Sequence, residues 1–549
     1  MNKTFKYIIA FVLIAMQGAC SEDFLDIIPQ DNLVTDGFYR NDSEIRASTA
    51  ALYGMPWFDY NDKFSWVAGD AMAGNLYHTW DQEGQFFYFS FNEGNAHLTR
   101  GWQSLFRVVS YSNSIINDLP RIAGGHNVPQ AQINRGVAEA RFIRAYAYYI
   151  LAEYWGEVPI VEDATSLVSS NQLILPKNTK ASVYEFVRRD LVFAEEHLLN
   201  TDAPGRVTKW AAKSLLAKLY LTMGQASGSA EHFNMAKTYA DEVITGSGLS
   251  LLPNYANLFR IENNNNAESI FALQWVEGSY GSGNSVQANM ARSSLITGNS
   301  ESWGGFKSLT YDFVKNVEAG DLRQPAIYMT KDNHYPEIRR SSGGYLYRLV
   351  NRDAQNNILE NAAPVLNNVK KYVVGSSTDN AGRVTTNQAT AMNTYLIRLA
   401  DVYLTYVEAA IGSGELTTDG KALSYFNAIR QRAGLSQVAS VSFMQLLQER
   451  RTEFAMESQY WLDLKRFYYR SPAAAVSYLN AQQRAHYYER VQGPNPPDEN
   501  TMAGYVLVPP TSPVTVFASN MILPVPAAEV SYNPLLAPGK PAVDYVFNN

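Results

Sequence analysis

The amino-acid sequence predicts a mainly α protein. Four helix pairs of the tetratricopeptide type form a scaffold, and a loop-rich, mixed α/β half is built onto it. Three observations carry this prediction. The stretch Val137 to Pro159 (VAEARFIRAYAYYILAEYWGEVP) is apolar around most of a helical circumference, so it reads as a helix buried on several sides. Helices with related lettering recur at 208–223 and 394–410. Between 250 and 393 helical periodicity gives way to glycine, serine and short alternating runs.

Taken in order, residues 1–19 predict a signal peptide and 20–549 the mature chain. Lys3 and Lys6 precede the apolar run Ile8 to Met16, which is too short to span a bilayer. Gln17-Gly18-Ala19-Cys20 then places small residues before the only cysteine, a pattern that resembles a bacterial lipobox, with Gln17 where Leu is usual. An ordinary signal peptide with an incidental Cys is the competing reading.

Asn41 or Ser43 predicts a cap for a helix over Glu44 to Tyr53. The stretch from Gly54 to Gly94 lacks helical periodicity and is dense in aromatic, amide and carboxylate side chains, so it reads as a functional loop. Helices are expected over Arg100 to Leu119, from Val137 to a stop at Gly156 and Pro159, and over Val183 to Leu199. Thr208 to Met223 with Phe233 to Val243, and Thr394 to Ala410 with Ala422 to Ala433, follow as helix–turn–helix units with small residues at the crossings. The predicted pairs are about 43–118, 135–199, 208–244 and 395–434, and the loop-rich ligand half is about 250–393 plus 54–94. Within that half Glu268 to Trp275, Tyr345 to Arg348 and Val369 to Tyr372 read as strands. Met444 to Phe467 reads as one helix, and the proline-rich tail as extended chain without a further helix.

Composition narrows the function classes. With 46% hydrophobic and 18% charged residues the chain is not of disordered type. A net charge of −7 gives no basic face for nucleic acid. The seven histidines show no metal-binding spacing, and one cysteine excludes thiolate zinc sites. No cofactor motif is present; a structural calcium stays open, because oxygen ligands leave weak signatures. Walker A, GxGxxG and GxSxG patterns are absent. Glu449, Glu453 and Glu457 fall at i, i+4, i+8 beside Arg450, Arg451 and Lys465, and read as ion-pair support on a helix face rather than as a catalytic carboxylate pair.

Aromatic content is the sharper signal: 35 Tyr, 25 Phe and 9 Trp exceed what a core needs. Sugar rings present apolar C–H faces that stack on Trp and Tyr, while their hydroxyls pair with Asp, Asn and Arg. Two aromatic loop regions, 54–94 and 275–311, fit such a site.

The assembled motifs resemble the SusD/RagB family of Bacteroidetes outer-membrane lipoproteins. The matching stretches are Cys20 to Asp26 with Pro29, Ala138 to Tyr146, Tyr154 to Pro159, Arg206 to Lys209 with Ala212 to Leu221, and Ile397 to Leu404 with Glu408-Ala409. Arg430 to Leu435, Glu449 to Phe454, Trp461 to Arg466 and Pro524 to Pro526 with Glu529 and Asn533 complete the set, in order along nearly the whole mature chain. The resemblance implies a SusD-like fold and a non-catalytic glycan-binding protein. It also implies a lipid at Cys20, placement at the outer-membrane surface, and a SusC-like TonB-dependent transporter as partner. Ser21-Glu22-Asp23 resembles the export signal that sends such lipoproteins to the outer face. The family's ligand residues follow no fixed motif. By location the expected glycan site is Trp80, Tyr77, Trp303, Tyr280 and Trp275, with Asp70 and Asn75 as polar partners and Trp66 in reserve. Peptide capture, which some relatives perform, and a glycoside hydrolase are the alternatives.

Overall fold

The computed structural model describes residues 37–359, 367–495 and 497–547; the predicted signal peptide and Cys20 lie outside them. The chain is mainly α. Helix α1 (Asp42–Ala50) is capped by Asn41, whose side chain accepts from Glu44 N. After α2 (Asp81–Tyr88) come α3 (Ala96–Gly125), α4 (Gln130–Trp155) and α5 (Lys180–His197). Helices α6 (Lys209–Ser227) and α7 (Ala230–Gly246) precede the loop-rich part. Beyond it lie α8 (Leu399–Ile411), α9 (Gly420–Arg432), α10 (Phe443–Glu453), α11 (Tyr460–Arg470), α12 (Pro472–Ala481) and α13 (Ala527–Tyr532).

Helix α4 is the centre of the scaffold. From Gly136 to Trp155 only Arg141 among its residues escapes full burial, and α3 and α5 pack along it. One buried cation ties the three together: Arg144 binds Asp190 of α5 through two 2.8 Å bonds and Asn113 of α3 at 2.7 Å. Helix α6 packs on α7, and α8 lies on both and on α9. Helix α1 leans mainly on α4 rather than on α3.

Several elements differ from the expected ones for identifiable reasons. Helix α3 continues through Pro120 to Gly125, because proline removes one donor but leaves the flanking turns packed. Helix α4 starts seven residues earlier than Val137, at Gln130, and carries Gly136 inside it. A Cβ there would meet Ile45 and Leu119 side chains at 2.5 and 2.7 Å, so glycine permits the close approach of α1 and α3. Thr394–Arg398 is a strand, not the first turn of a helix. The expected single helix over 444–467 breaks at 454–459, where Met456 and Ser458 take φ of 62° and 61°. The tail does contain a short helix, α13, opened by Pro526.

The loop-rich half is an insertion between α7 and α8. The chain leaves along strand β1 (Ser269–Leu273) and returns along β2 (Thr394–Arg398), which pairs antiparallel with it. Short antiparallel pairs order the rest. Leu76–Tyr77 with Ser308–Leu309, 328–330 with 367–369, and 334–335 with 345–346 are among them. Arginine–carboxylate clusters fix the insertion to the scaffold. Arg398 binds Glu268 at 2.7 Å and Glu457 at 2.9 Å; Arg323 binds Glu449 at 2.6 Å and Glu453 at 2.8 Å. The three glutamates expected on a helix surface are therefore buried counter-ions, and Glu457 lies beyond the end of α10.

Candidate ligand-binding surface

The two aromatic regions picked out in the sequence meet in space. Their junction is the two-residue ladder Leu76↔Leu309 and Tyr77↔Ser308. Trp80 follows one strand by three residues and Trp303 precedes the other by five. In an antiparallel pair both therefore leave from the same end.

The region 54–94 is not a loop. Residues 58–71 wind as helix with two π-helical turns, Tyr60–Phe64 and Val67–Ala71. A π-turn shifts the side-chain period away from 3.6 residues, which hides such a helix from periodicity and re-aims its polar residues. Here Asp62 and Lys63 point toward the aromatic region. Asp62 accepts from Tyr280 Oη at 3.0 Å and Ser285 Oγ at 2.6 Å. Lys63 Nζ donates to Glu83 Oε1 at 2.5 Å and to Asn289, and lies 6.0 Å from the centre of the Trp303 ring.

Trp80 precedes α2. Asp81 takes φ 53°, and a Cβ on Gly84 would come within 2.4 Å of the Thr79 backbone, so the turn after Trp80 is tight. Glu83, in the first turn of α2, gathers donors: His78 Nε2 donates to Glu83 Oε2 at 2.8 Å, and the Lys307 ammonium lies at 3.5 Å. Burial alone raises the Glu83 pKa. His78, Lys307 and Lys63 outweigh it and hold the carboxyl below its ordinary range. Burial pushes Lys307 down to about 8 against the pull of Glu83. Tyr280 is raised by burial and by the Asp62 carboxylate, so it stays a neutral hydroxyl donor.

Three expected site residues face solvent on this base: Trp80, Tyr280 and Trp303, with exposures of 60%, 54% and 48%. Tyr280 also sits edge-on to Phe58 with ring centres 4.8 Å apart. The other four are interior. Tyr77 is buried and stacks on His486 at 3.7 Å. Trp275 is buried against Phe58, its indole N–H donating to Thr394 Oγ1 at 3.1 Å. Asp70 accepts from Asn75 Nδ2 and from the amides of Met456 and Ser458, holding the break between α10 and α11. Asn75 accepts from Arg451 Nε at 2.8 Å. These four are out of ligand reach because each already fills a structural contact. The reserve residue Trp66 is buried too, its N–H donating to Asp62 O. Lys63, Glu83 and Asn289 were not expected in the site. No sequence spacing links positions 63, 83 and 289; only the polar run Asp62-Lys63 within an aromatic stretch marks the place.

Among the described residues no group of three or more His, Cys, Asp or Glu side chains is placed to hold a metal ion.

Known proteins resemble the chain along nearly its whole length. Residues 23–221 match a family described as starch-binding associating with outer membrane, and residues 224–538 match the SusD family. A SusD-like protein of Bacteroides ovatus is 34% identical and aligns over 97% of this chain and 96% of its own. The starch-binding protein SusD of Bacteroides thetaiotaomicron is 25% identical over 61% of this chain and 65% of its own. A crystal structure with xylogluco-oligosaccharide is 32% identical and superimposes with a TM-score of 0.81, covering 92% of this chain and 100% of that one.

Proposed function

The chain belongs to the SusD family, and from that premise we propose that it is a cell-surface glycan-binding lipoprotein. It captures an oligosaccharide or polysaccharide and delivers it to a SusC-like TonB-dependent transporter in the outer membrane. The observation that carries the reading is the exposed set Trp80, Tyr280 and Trp303 on a base held rigid by Asp62, Lys63 and Glu83. Ring faces supply apolar area for sugar C–H groups, and the fixed base keeps their ordering cost low. A relative 32% identical, solved with xylogluco-oligosaccharide, makes xyloglucan the first ligand to test.

The reading is non-catalytic. Glu449, Glu453 and Glu457, the carboxylates at regular spacing, are consumed by buried arginines and a lysine. Cys20 supplies the lipid anchor, and the scaffold helices supply the face toward the transporter.

Affinity electrophoresis through gels containing xyloglucan and other polysaccharides tests the reading. The protein is retarded by at least one polysaccharide without shortening it. Trp80→Ala and Trp303→Ala each weaken retention by about 2 kcal/mol, roughly 30-fold, as truncation of an aromatic anchor does. Release of oligosaccharide at enzymatic rates, or retention unchanged in both variants, sinks it. Membrane association lost in Cys20→Ala checks the anchor.

A further inference from the structure

A second cavity, of about 320 Å³, lies between the turn 200–208 and strand β1, apart from the Trp80–Trp303 surface. Trp210 lines it. The ring is held in place: its N–H donates to Asn200 O at 2.9 Å, Lys209 Nζ lies 4.6 Å from its centre, and Gly246 abuts its edge. Gly205, at φ 88°, lets the turn close onto an amide cluster, since a Cβ there would meet Gln274 Oε1 at 2.7 Å and Asn265 Nδ2 at 2.9 Å. That cluster is internally satisfied, Asn265 and Gln274 exchanging bonds of 2.9 and 3.0 Å with Asn393 joining both.

The chemistry left over is that of a polyol site. The two charged side chains of the lining are neutralised within the fold, Asp202 by Arg46 and Arg206 by Glu139. The Asn200 amide and the hydroxyls of Thr201, Thr208 and Ser269 also line the cavity. The lining's own charges are paired and only Lys209, seated over the Trp210 ring, adds one at its edge, so a fixed aromatic ring beside neutral donors and acceptors favours an uncharged ligand with many hydroxyls.

We propose that the Trp210 cavity is a second, separate subsite for a neutral sugar; this rests on the glycan-binding reading above. Ser269 at this cavity and Tyr280 at the first surface are eleven residues apart in sequence, so at most about 40 Å of chain separates them. One polysaccharide strand, or two neighbouring strands, can then engage both, and the second contact forms at the effective concentration set by the first.

Calorimetric titration of the purified protein with xylogluco-, cello-, malto- and laminari-oligosaccharides tests this. At least one of them shows two binding events. Trp210→Ala removes the weaker event and leaves the tighter one unchanged. A Trp80→Ala/Trp303→Ala double variant does the reverse. Polysaccharide affinity falls roughly tenfold in Trp210→Ala. Asn200→Ala/Thr201→Ala changes two exposed residues and lowers the weaker affinity in the same direction, which covers a Trp210 variant that fails to fold. A single event, abolished by the Trp80/Trp303 pair and untouched by both cavity variants, overturns the second subsite and leaves the proposed function standing. Binding of none of the oligosaccharides or polysaccharides overturns both.

Discussion

Arg451 illustrates how a residue far from the surface sets the site. Its guanidinium is fully buried and donates to Asn75 Oδ1 at 2.8 Å, Asp312 Oδ2 at 2.8 Å and Gly74 O at 3.1 Å. Residues 74 and 75 lead directly into the ladder that carries Trp80, and Asp312 follows the partner strand that carries Trp303. Arg451→Met leaves the Asp312 carboxylate with only the partly exposed Lys315 at 3.6 Å, and breaking such a buried pair costs about 3 kcal/mol. Urea denaturation should register that loss together with weaker glycan retention; a change below about 1 kcal/mol would contradict the role assigned to the pair. Asn75 also shows where sequence reading stops. An amide in an aromatic stretch has the same lettering whether it faces a ligand or an arginine 376 positions away. Trp80 and Trp303 are exposed beside turn-forming neighbours, whereas Trp275, two residues past strand β1, turns inward.

At the scale of elements, the contact between α3 and the π-helical stretch places Asp62 and Lys63. Gly101 of α3 faces Phe64, and a Cβ there would lie 2.3 Å from the ring. Phe64 cannot yield easily, because its ring stacks on Trp155 at 5.2 Å and packs against Tyr154 at 5.1 Å. Gly101→Ala therefore destabilises the protein by about 1–3 kcal/mol, despite the higher helix propensity of alanine, and weakens glycan binding by displacing the π-turn. Gly124→Ala and Gly125→Ala, in the last turn of the same helix, meet no atom within 4 Å. Both should be neutral or stabilising by up to about 1 kcal/mol. Thermal melts of the three variants decide the matter, and equal behaviour would refute the clash. The regular helices were legible because a 3.6-residue apolar stripe survives wherever one face packs. Residues 58–71 were not, since two π-turns shift the stripe and burial on most sides removes the polar face that marks a helix. The break at Met456 and Ser458 was hidden for another reason: left-handed backbone at non-glycine residues is imposed by Asp70 binding their amides, a contact from a distant segment.

Across the whole molecule, buried charge sets the response to acid. Burial alone raises the pKa values of Glu453, Asp401 and Glu408, but arginine neighbours, with Lys218 at Asp401, hold all three below the ordinary carboxylate range. Their stabilisation is present above the unfolded carboxylate pKa and is lost as pH falls below about 4.5. Several groups titrate at higher pH, and two of them have opposite signs. Burial lowers His486 from 6.5 to about 4, so the folded state loses stability as pH falls through that window. Burial raises Asp70 from 3.8 to about 6, so the folded state gains stability as pH falls through nearly the same window. Each is worth about 3 kcal/mol at 1.36 kcal/mol per pH unit, and the two nearly cancel. Burial lowers His78 and His97 in the same direction as His486, so stability should ease downward from pH 7 to about 4.5 and drop steeply below. His486→Phe keeps a ring against Tyr77, which stacks on His486 at 3.7 Å, but removes the titrating group. In that variant the Asp70 contribution is no longer offset by His486, and the change in stability between pH 6.5 and 4.5 is more favourable than the parent's by about 2–3 kcal/mol. Urea midpoints at pH 7, 5.5, 4.5 and 3.5 on both proteins separate the two groups. A variant with the same pH response as the parent would show that His486 is not lowered, and one whose stability falls steadily from pH 6.5 to 4.5 would show that Asp70 titrates in its ordinary range, with the three N–H donors around it outweighing burial.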